Sequence, residues 1–178
     1  MRHTLAVLVL NQPGVLMRVA GMFSRRGFNI ESLAVGVTEV AECSRITAVM
    51  QGDAATVKQV VKQLEKLVEV QSVAILPPEA AVVRGLALIK VKSCSERRLE
   101  ILKLAEVFRA KAVDVAEQSI TLELTGDEEK INAFLEVLAP YQVLEMVRTG
   151  VIGLQRGEET ILNSSKECQL TALLAAEV

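Results

Sequence analysis

Residues 46–64 read ITAVMQGDAATVKQVVKQL, and residues 120–138 read ITLELTGDEEKINAFLEVL. At a constant offset of 74 positions, Ile46, Thr47, Gly52, Asp53, Val57, Val60, Val61 and Leu64 correspond to Ile120, Thr121, Gly126, Asp127, Ile131, Phe134, Leu135 and Leu138. Each stretch is a short apolar run, then Gly-Asp, then apolar residues three and four apart. That pattern is a strand, a turn and an amphipathic helix, with the aspartate as its N-cap. Because the junction and the apolar helix face are both preserved, one architectural unit is expected to occur twice.

Working outward, Leu5 to Leu10 is a continuous apolar run short enough for a central strand. Gly14 to Arg26 reads as a helix with an unusually wide apolar face (Val15, Leu16, Val19, Ala20, Met22, Phe23), closed by Arg25, Arg26 and Gly27. Phe28–Val37 and Ser44–Gln51 read as strands. A helix follows on Val57, Val60, Val61, Leu64, Leu67 and Val68, then a strand at Val70–Leu76. The order β-α-β-β-α-β is the split-βαβ, ferredoxin-like arrangement. The second half repeats it: Leu86–Val91, a helix from Ser95 to Ala110, strands near 112–117 and 119–125, the duplicated helix, and Val143–Leu154. The expected fold class is therefore α+β, two tandem ferredoxin-like βαββαβ units. Their expected ranges are residues 1–77 and 78–157, followed by a tail, 158–178, disordered or docked elsewhere, in which Leu170–Ala176 is apolar enough for a short helix.

Composition excludes several function classes. The 178 residues carry 20 basic and 22 acidic side chains, so no electrostatic reason exists to expect nucleic acid or an anionic membrane. Aromatics are only 3% and Trp is absent, which leaves no stacking platform for RNA. Cys43, Cys94 and Cys168 are scattered and odd in number, and His3 has no ligand partner at helical spacing. Neither a disulfide framework nor a metal site is expected, and a cytoplasmic location is the default. No apolar run is long enough to span a membrane, and the N-terminal run reads better as a strand than as a signal segment. No GxSxG, P-loop, HExxH or dinucleotide fingerprint is present, so no catalytic residues are assigned. Arg25-Arg26 reads as a helix-end cap before it reads as a phosphate clamp.

One loop stands out, Asn11-Gln12-Pro13-Gly14. The first N–H groups of a helix have no partner within it, and Pro13 suits the first helical position. That would leave the N–H groups of Gly14, Val15 and Leu16 at the positive end of the helix dipole, where a carboxylate binds readily. Gly14 allows close approach, and the Asn11 amide can accept from an ammonium and donate to a carboxylate. An α-amino acid is the ligand class these groups suit. The alternative is plain turn chemistry. The matching junction of the second half, Lys92-Ser93-Cys94-Ser95, makes its turn without Asn, Pro or Gly, which favours a site in the first unit alone.

NQPGVLMRVAGMFSRRGFNIESLAV (residues 11–35) resembles the N-terminal ACT domain of the acetolactate synthase (acetohydroxyacid synthase) small subunit. Ser44–Thr47, Lys66–Val70, Leu86–Val91, Ile101–Phe108 and Arg148–Gly157 also fit that family in order, whereas Gly85 departs from it. The resemblance covers residues 2–157 and implies a non-catalytic regulatory subunit. It would have no cofactor of its own and would bind a large catalytic subunit that carries thiamine diphosphate, Mg and FAD. It would activate that subunit and confer feedback inhibition by a branched-chain amino acid, usually valine. The resemblance further implies a homodimer of ACT domains with the effector between them. Asn11, Gly14, Val15 and Leu16 would contribute from one protomer, Asn29 and Ile30 from the other. The second unit would then contact the large subunit. A stand-alone ACT-type amino-acid sensor acting on another protein is the competing expectation.

Overall fold

A computed structural model of the chain describes residues 1–162. It divides into two compact units, one of residues 1–82 joined by the described chain from Val151 to Leu162, the other Val83–Gly150. The sequence reading attached residues as far as 157 to the second unit. The difference arises because the chain after Gly150 returns to the first.

In the first unit β1 (Arg2–Leu10), β3 (Cys43–Gln51), β2 (Ile30–Val37) and β4 (Val70–Leu76) form an antiparallel sheet in the order β2-β3-β1-β4. Helices α1 (Val15–Arg25) and α2 (Ala54–Leu64) cover one face. Leu5, Val7 and Val9 point to that face with Ile46 and Met50, against Val19, Met22, Phe23, Val60 and Leu64. Alternate residues Ala6 and Leu8 are also buried. Burial on both faces explains why the run lacks the polar alternation of a half-exposed strand.

The second unit repeats the plan. β5 (Ala81–Lys92), β6 (Lys111–Val115), β7 (Ser119–Gly126) and β8 (Val143–Arg148) take the order β6-β7-β5-β8, and α3 (Ser95–Phe108) and α4 (Glu128–Leu138) carry its core. Phe134 is fully buried with its ring centroid 4.9 Å from that of Phe108. The duplicated caps are real: Asp53 accepts from the Thr56 N–H at 2.7 Å, and Asp127 from the Lys130 N–H at 2.9 Å. The α+β reading with two βαββαβ units holds.

Several boundaries differ from expectation. α1 begins at Val15, so Pro13 is not its first helical residue. α1 ends where Gly27, at φ 72°, lets the Phe28 N–H reach back to the Phe23 carbonyl. Phe28 and Asn29 precede β2. α2 stops at Leu64; Leu67 packs against the core, but Val68 is 88% exposed. Val143–Leu154 is broken in two, β8 and then β9 (Ile152–Gln155), which pairs with β5. The break follows a local clasp, Thr149 N–H to the Leu86 carbonyl at 2.9 Å and Leu86 N–H to the Thr149 hydroxyl at 3.0 Å. Of the expected tail, Ile161 is buried, and Leu170–Ala176 lies outside the described residues. Among the described residues no helix is long and apolar enough to cross a membrane.

Phe134→Ala should lower the free energy of chemical unfolding by about 3–5 kcal/mol, through lost transfer energy and the cavity left behind. Asp53 has its pKa lowered by the hydrogen bonds from Thr56, so its stabilising effect is present above the unfolded carboxylate pKa and is lost as pH falls through the folded one. Asp53→Ala should therefore melt below the unaltered protein at neutral pH, with the gap closing in acid.

Candidate functional site

The loop between β1 and α1 is a β-turn. The Val15 N–H donates to the Gln12 carbonyl at 3.4 Å, with Pro13 and Gly14 at the two central positions. Gly14 has φ 86° and ψ −12°, the left-handed third position of a type II turn, which Pro followed by Gly satisfies. Proline and glycine are thus turn chemistry in part. The same turn makes Gly14 the N-cap of α1 with no side chain capping it and no acidic residue in the first turn. Among the described residues, the N–H groups of Gly14, Leu16 and Met17 have no protein acceptor. A Cβ placed on Gly14 would meet nothing within 4 Å, so the space above the helix end is open. Open space, unpaired donors and the positive helix end together favour an anion.

The candidate residues are placed as follows. Asn11 is tied to the β2–β3 connection: its side-chain N–H donates to the Ala41 carbonyl at 2.9 Å, its side-chain oxygen accepts from Ser44 at 3.1 Å, and its backbone N–H donates to Glu42 at 2.6 Å. One amide hydrogen and one lone pair remain for a ligand. Val15 is buried in the core and offers only a backbone N–H already engaged in the turn, whereas Leu16 is 42% exposed. Arg18, one turn further along, is paired with Glu69.

Asn29 and Ile30 are not brought to this loop within one protomer. Ile30 pairs with Met50, while Leu10 pairs with Cys43 at the other end of β3. Seven residues of strand separate those ends, about 24 Å. β2 is, however, a sheet edge, with Val35 and Val37 47% and 62% exposed.

The matching junction of the second unit also begins its helix without a side-chain cap, on Cys94. It borders a cavity of about 610 Å³ lined by Lys92, Ser93, Arg97 and Tyr141 among others. Sequence reasoning missed that cavity, because a concavity between loops leaves no periodic signal. It also missed Ser32 and Arg45. Ser32 Oγ accepts from the Val151 N–H at 3.1 Å, and the Arg45 guanidinium donates to the Gly153 carbonyl at 2.7 Å. Burial pulls the Arg45 pKa below its ordinary value, with Glu39 opposing. A charge inside an otherwise buried strand, Cys43 to Met50, was the available signal.

Residues 5–72 match the model of the acetohydroxyacid synthase small-subunit-like ACT domain, and residues 84–157 match that of the small subunit of acetolactate synthase. The acetolactate synthase small subunit of Mycobacterium leprae is 48% identical over 89% of this chain and 94% of its own. The chain belongs to the acetolactate synthase small-subunit family. A "probable acetolactate synthase small subunit" of Archaeoglobus fulgidus is 50% identical over 89% of this chain and 99% of its own. The crystal structure of the Thermotoga maritima small subunit is similar at a TM-score of 0.83 and 42% identity, covering 89% of this chain and 99% of that one. Family membership gives a regulatory small subunit with an ACT domain, and so a catalytic large-subunit partner.

Gly14→Ala should cost about 1–2 kcal/mol of stability, because an L-residue resists the left-handed turn position. Gly36→Ala, where a Cβ also meets open space and φ is ordinary, should be near neutral; parallel denaturant titrations compare the two.

Proposed function

We propose that this chain activates a thiamine-diphosphate-dependent acetolactate synthase large subunit and makes it sensitive to a branched-chain amino acid, valine foremost. The observation that carries the reading is the start of α1: unpaired N–H groups of Gly14 and Leu16 at a positive helix end, under open space, beside the Asn11 amide. The effector carboxylate is received by those N–H groups, and Asn11 meets its polar end.

The site is completed by a second copy. Two β2 edges paired antiparallel about a two-fold axis bring the start of one β2 towards the end of the other, so Asn29 and Ile30 of one protomer face the Asn11 loop of its partner. Exposed Val35 and Val37, with exposed Leu16 and Met17 on α1, are the apolar surface such a pairing would bury. Each dimer then holds two equivalent sites. The protein itself needs no cofactor; thiamine diphosphate, Mg and FAD belong to the catalytic partner, and the assembly works in the cytoplasm. The second unit supplies much of the contact with the large subunit.

Regulation is linkage. Valine binds one arrangement of the ACT pair better than the other, and that arrangement activates less well. The shift cannot exceed the difference in valine affinity between the two states.

Gly14→Asp places a carboxylate where the effector carboxylate sits, and aspartate tolerates left-handed backbone better than most residues. With the large subunit reconstituted, this variant should retain activation and lose valine inhibition. A valine titration matching that of the unaltered protein would overturn the placement.

A further inference from the structure

The face of the first sheet opposite α1 and α2 is defined by register. Leu8 lies beside Arg45 and Ser72; Ala6 beside Thr47 and Ala74; Thr4 beside Val49 and Leu76; and on β2 Ser32 lies beside Val49. A sheet covered by two helices on one side would leave this face to water. Yet Ala6, Leu8, Thr47, Val49, Ala74 and Leu76 are all buried.

Among the described residues, the segment from Val151 to Ile161 lies against this face, held at three points from three strands. Ser32 on β2 accepts from the Val151 N–H at 3.1 Å, Arg45 on β3 donates to Gly153 at 2.7 Å, and Ser72 on β4 donates to Ile161 at 2.7 Å. Ser72 and Ile161 are 5% and 7% exposed. The Ser72 bond is buried and the other two are part-buried, and such bonds are costly to leave unmade, so each anchor constrains where the segment lies. The same segment is covalently continuous with β8 through Thr149 and Gly150.

The outermost anchor sits at an irregular place. The β2–β3 pairing slips between Ile30 and Ser32, leaving Glu31 as the extra residue of a bulge. Glu31 is held instead by Arg2, at 2.6 Å, and by Gln51. The start of β2 is thus an edge segment hinged at a bulge, with Asn29 and Ile30 on one side of it and Ser32 on the other.

We propose that the Val151–Ile161 segment is a strap that carries the state of the effector edge to the chain leading back into β8, with Ser32 as its reading point and Arg45 as its anchor. The inference rests on the reading that the effector sits against the start of β2. An effector that favours one position of the bulged edge favours one state of the Ser32–Val151 hydrogen bond. Arg45 and Ser72, on strands further from the edge, keep the rest of the strap in place while that bond forms or breaks. Ser32 and Arg45 are positioning residues and do not touch the effector.

The test uses the full chain reconstituted with its catalytic subunit, beside calorimetric titration of valine into the full chain alone. In Ser32→Ala and Arg45→Gln, valine affinity should stay within about three-fold while the half-inhibitory valine concentration rises about ten-fold or more, the usual scale of coupling between sites. Ser32→Thr, which keeps the hydroxyl, should restore inhibition. Valine should also change deuterium exchange at residues 151–156 in the unaltered protein and not in Ser32→Ala. Unchanged inhibition in both variants with valine still bound would overturn the strap while leaving the effector site standing. So would exchange at 151–156 that ignores valine. Loss of valine binding in Ser32→Ala, rescued by threonine, would make Ser32 part of the effector site and end its role as a relay. No binding of valine, leucine or isoleucine to the unaltered protein would instead bring down the underlying reading, and the strap with it.

Discussion

Strand β1 is apolar from Leu5 to Leu10 and buried on both faces from Leu5 to Val9, and the first unit is organised by supplying two covers for it. On one side the cover is ordinary: α1 and α2 lay Val19, Phe23, Val60 and Leu64 over Leu5, Val7 and Val9. On the other, no helix of the described residues lies. The chain instead leaves, builds a second unit from Val83 to Gly150, and returns to lie over Leu8 and its neighbours. Burial of apolar area is non-directional, so it alone would accept many covers. The hydrogen bonds of Ser32, Arg45 and Ser72 pick one position for this one.

That arrangement gives β2 its character. β1 and β3 are the central strands, and of the two edges β2 is the one bulged at Glu31 and lined with exposed valines. Exposed edges invite pairing with another chain, and natural proteins usually block them. Here the edge runs eight residues and exposes Val35 and Val37, which suits the pairing proposed above. The start of α1 fits the same logic. Asp53 and Asp127 cap the second helix of each unit with a carboxylate, whereas α1 begins on Gly14 with nothing in that place. A capping carboxylate would occupy the position that a ligand carboxylate needs.

Much of the fold was legible. The Gly-Asp junctions at 52–53 and 126–127 carried both halves, because a strand-to-helix change of period and an N-cap are local events. Errors fell where local signals compete. Pro13 suits both a helix start and the second position of a turn; the left-handed φ of Gly14 selects the turn. Val143–Leu154 reads as one apolar strand, but the Thr149–Leu86 clasp divides it. Of the candidate site, the Asn11–Gly14 half was readable as a loop out of keeping with its repeat. The Asn29–Ile30 half could be attached to it only through the family resemblance, since the two lie at opposite ends of β3 within one protomer.

The amino-acid sequence by itself determined the order of elements, their caps, the duplication and the family, because each is written in spacing over a few residues or in the match of whole segments. Tertiary structure alone decided which strands form the sheet edges, which face α1 and α2 cover, and what crosses the opposite one. A period of two tells which residues share a face of a strand. It does not say what lies above that face, and here the answer is a segment, Val151–Ile161, more than a hundred residues away from Arg45 along the chain.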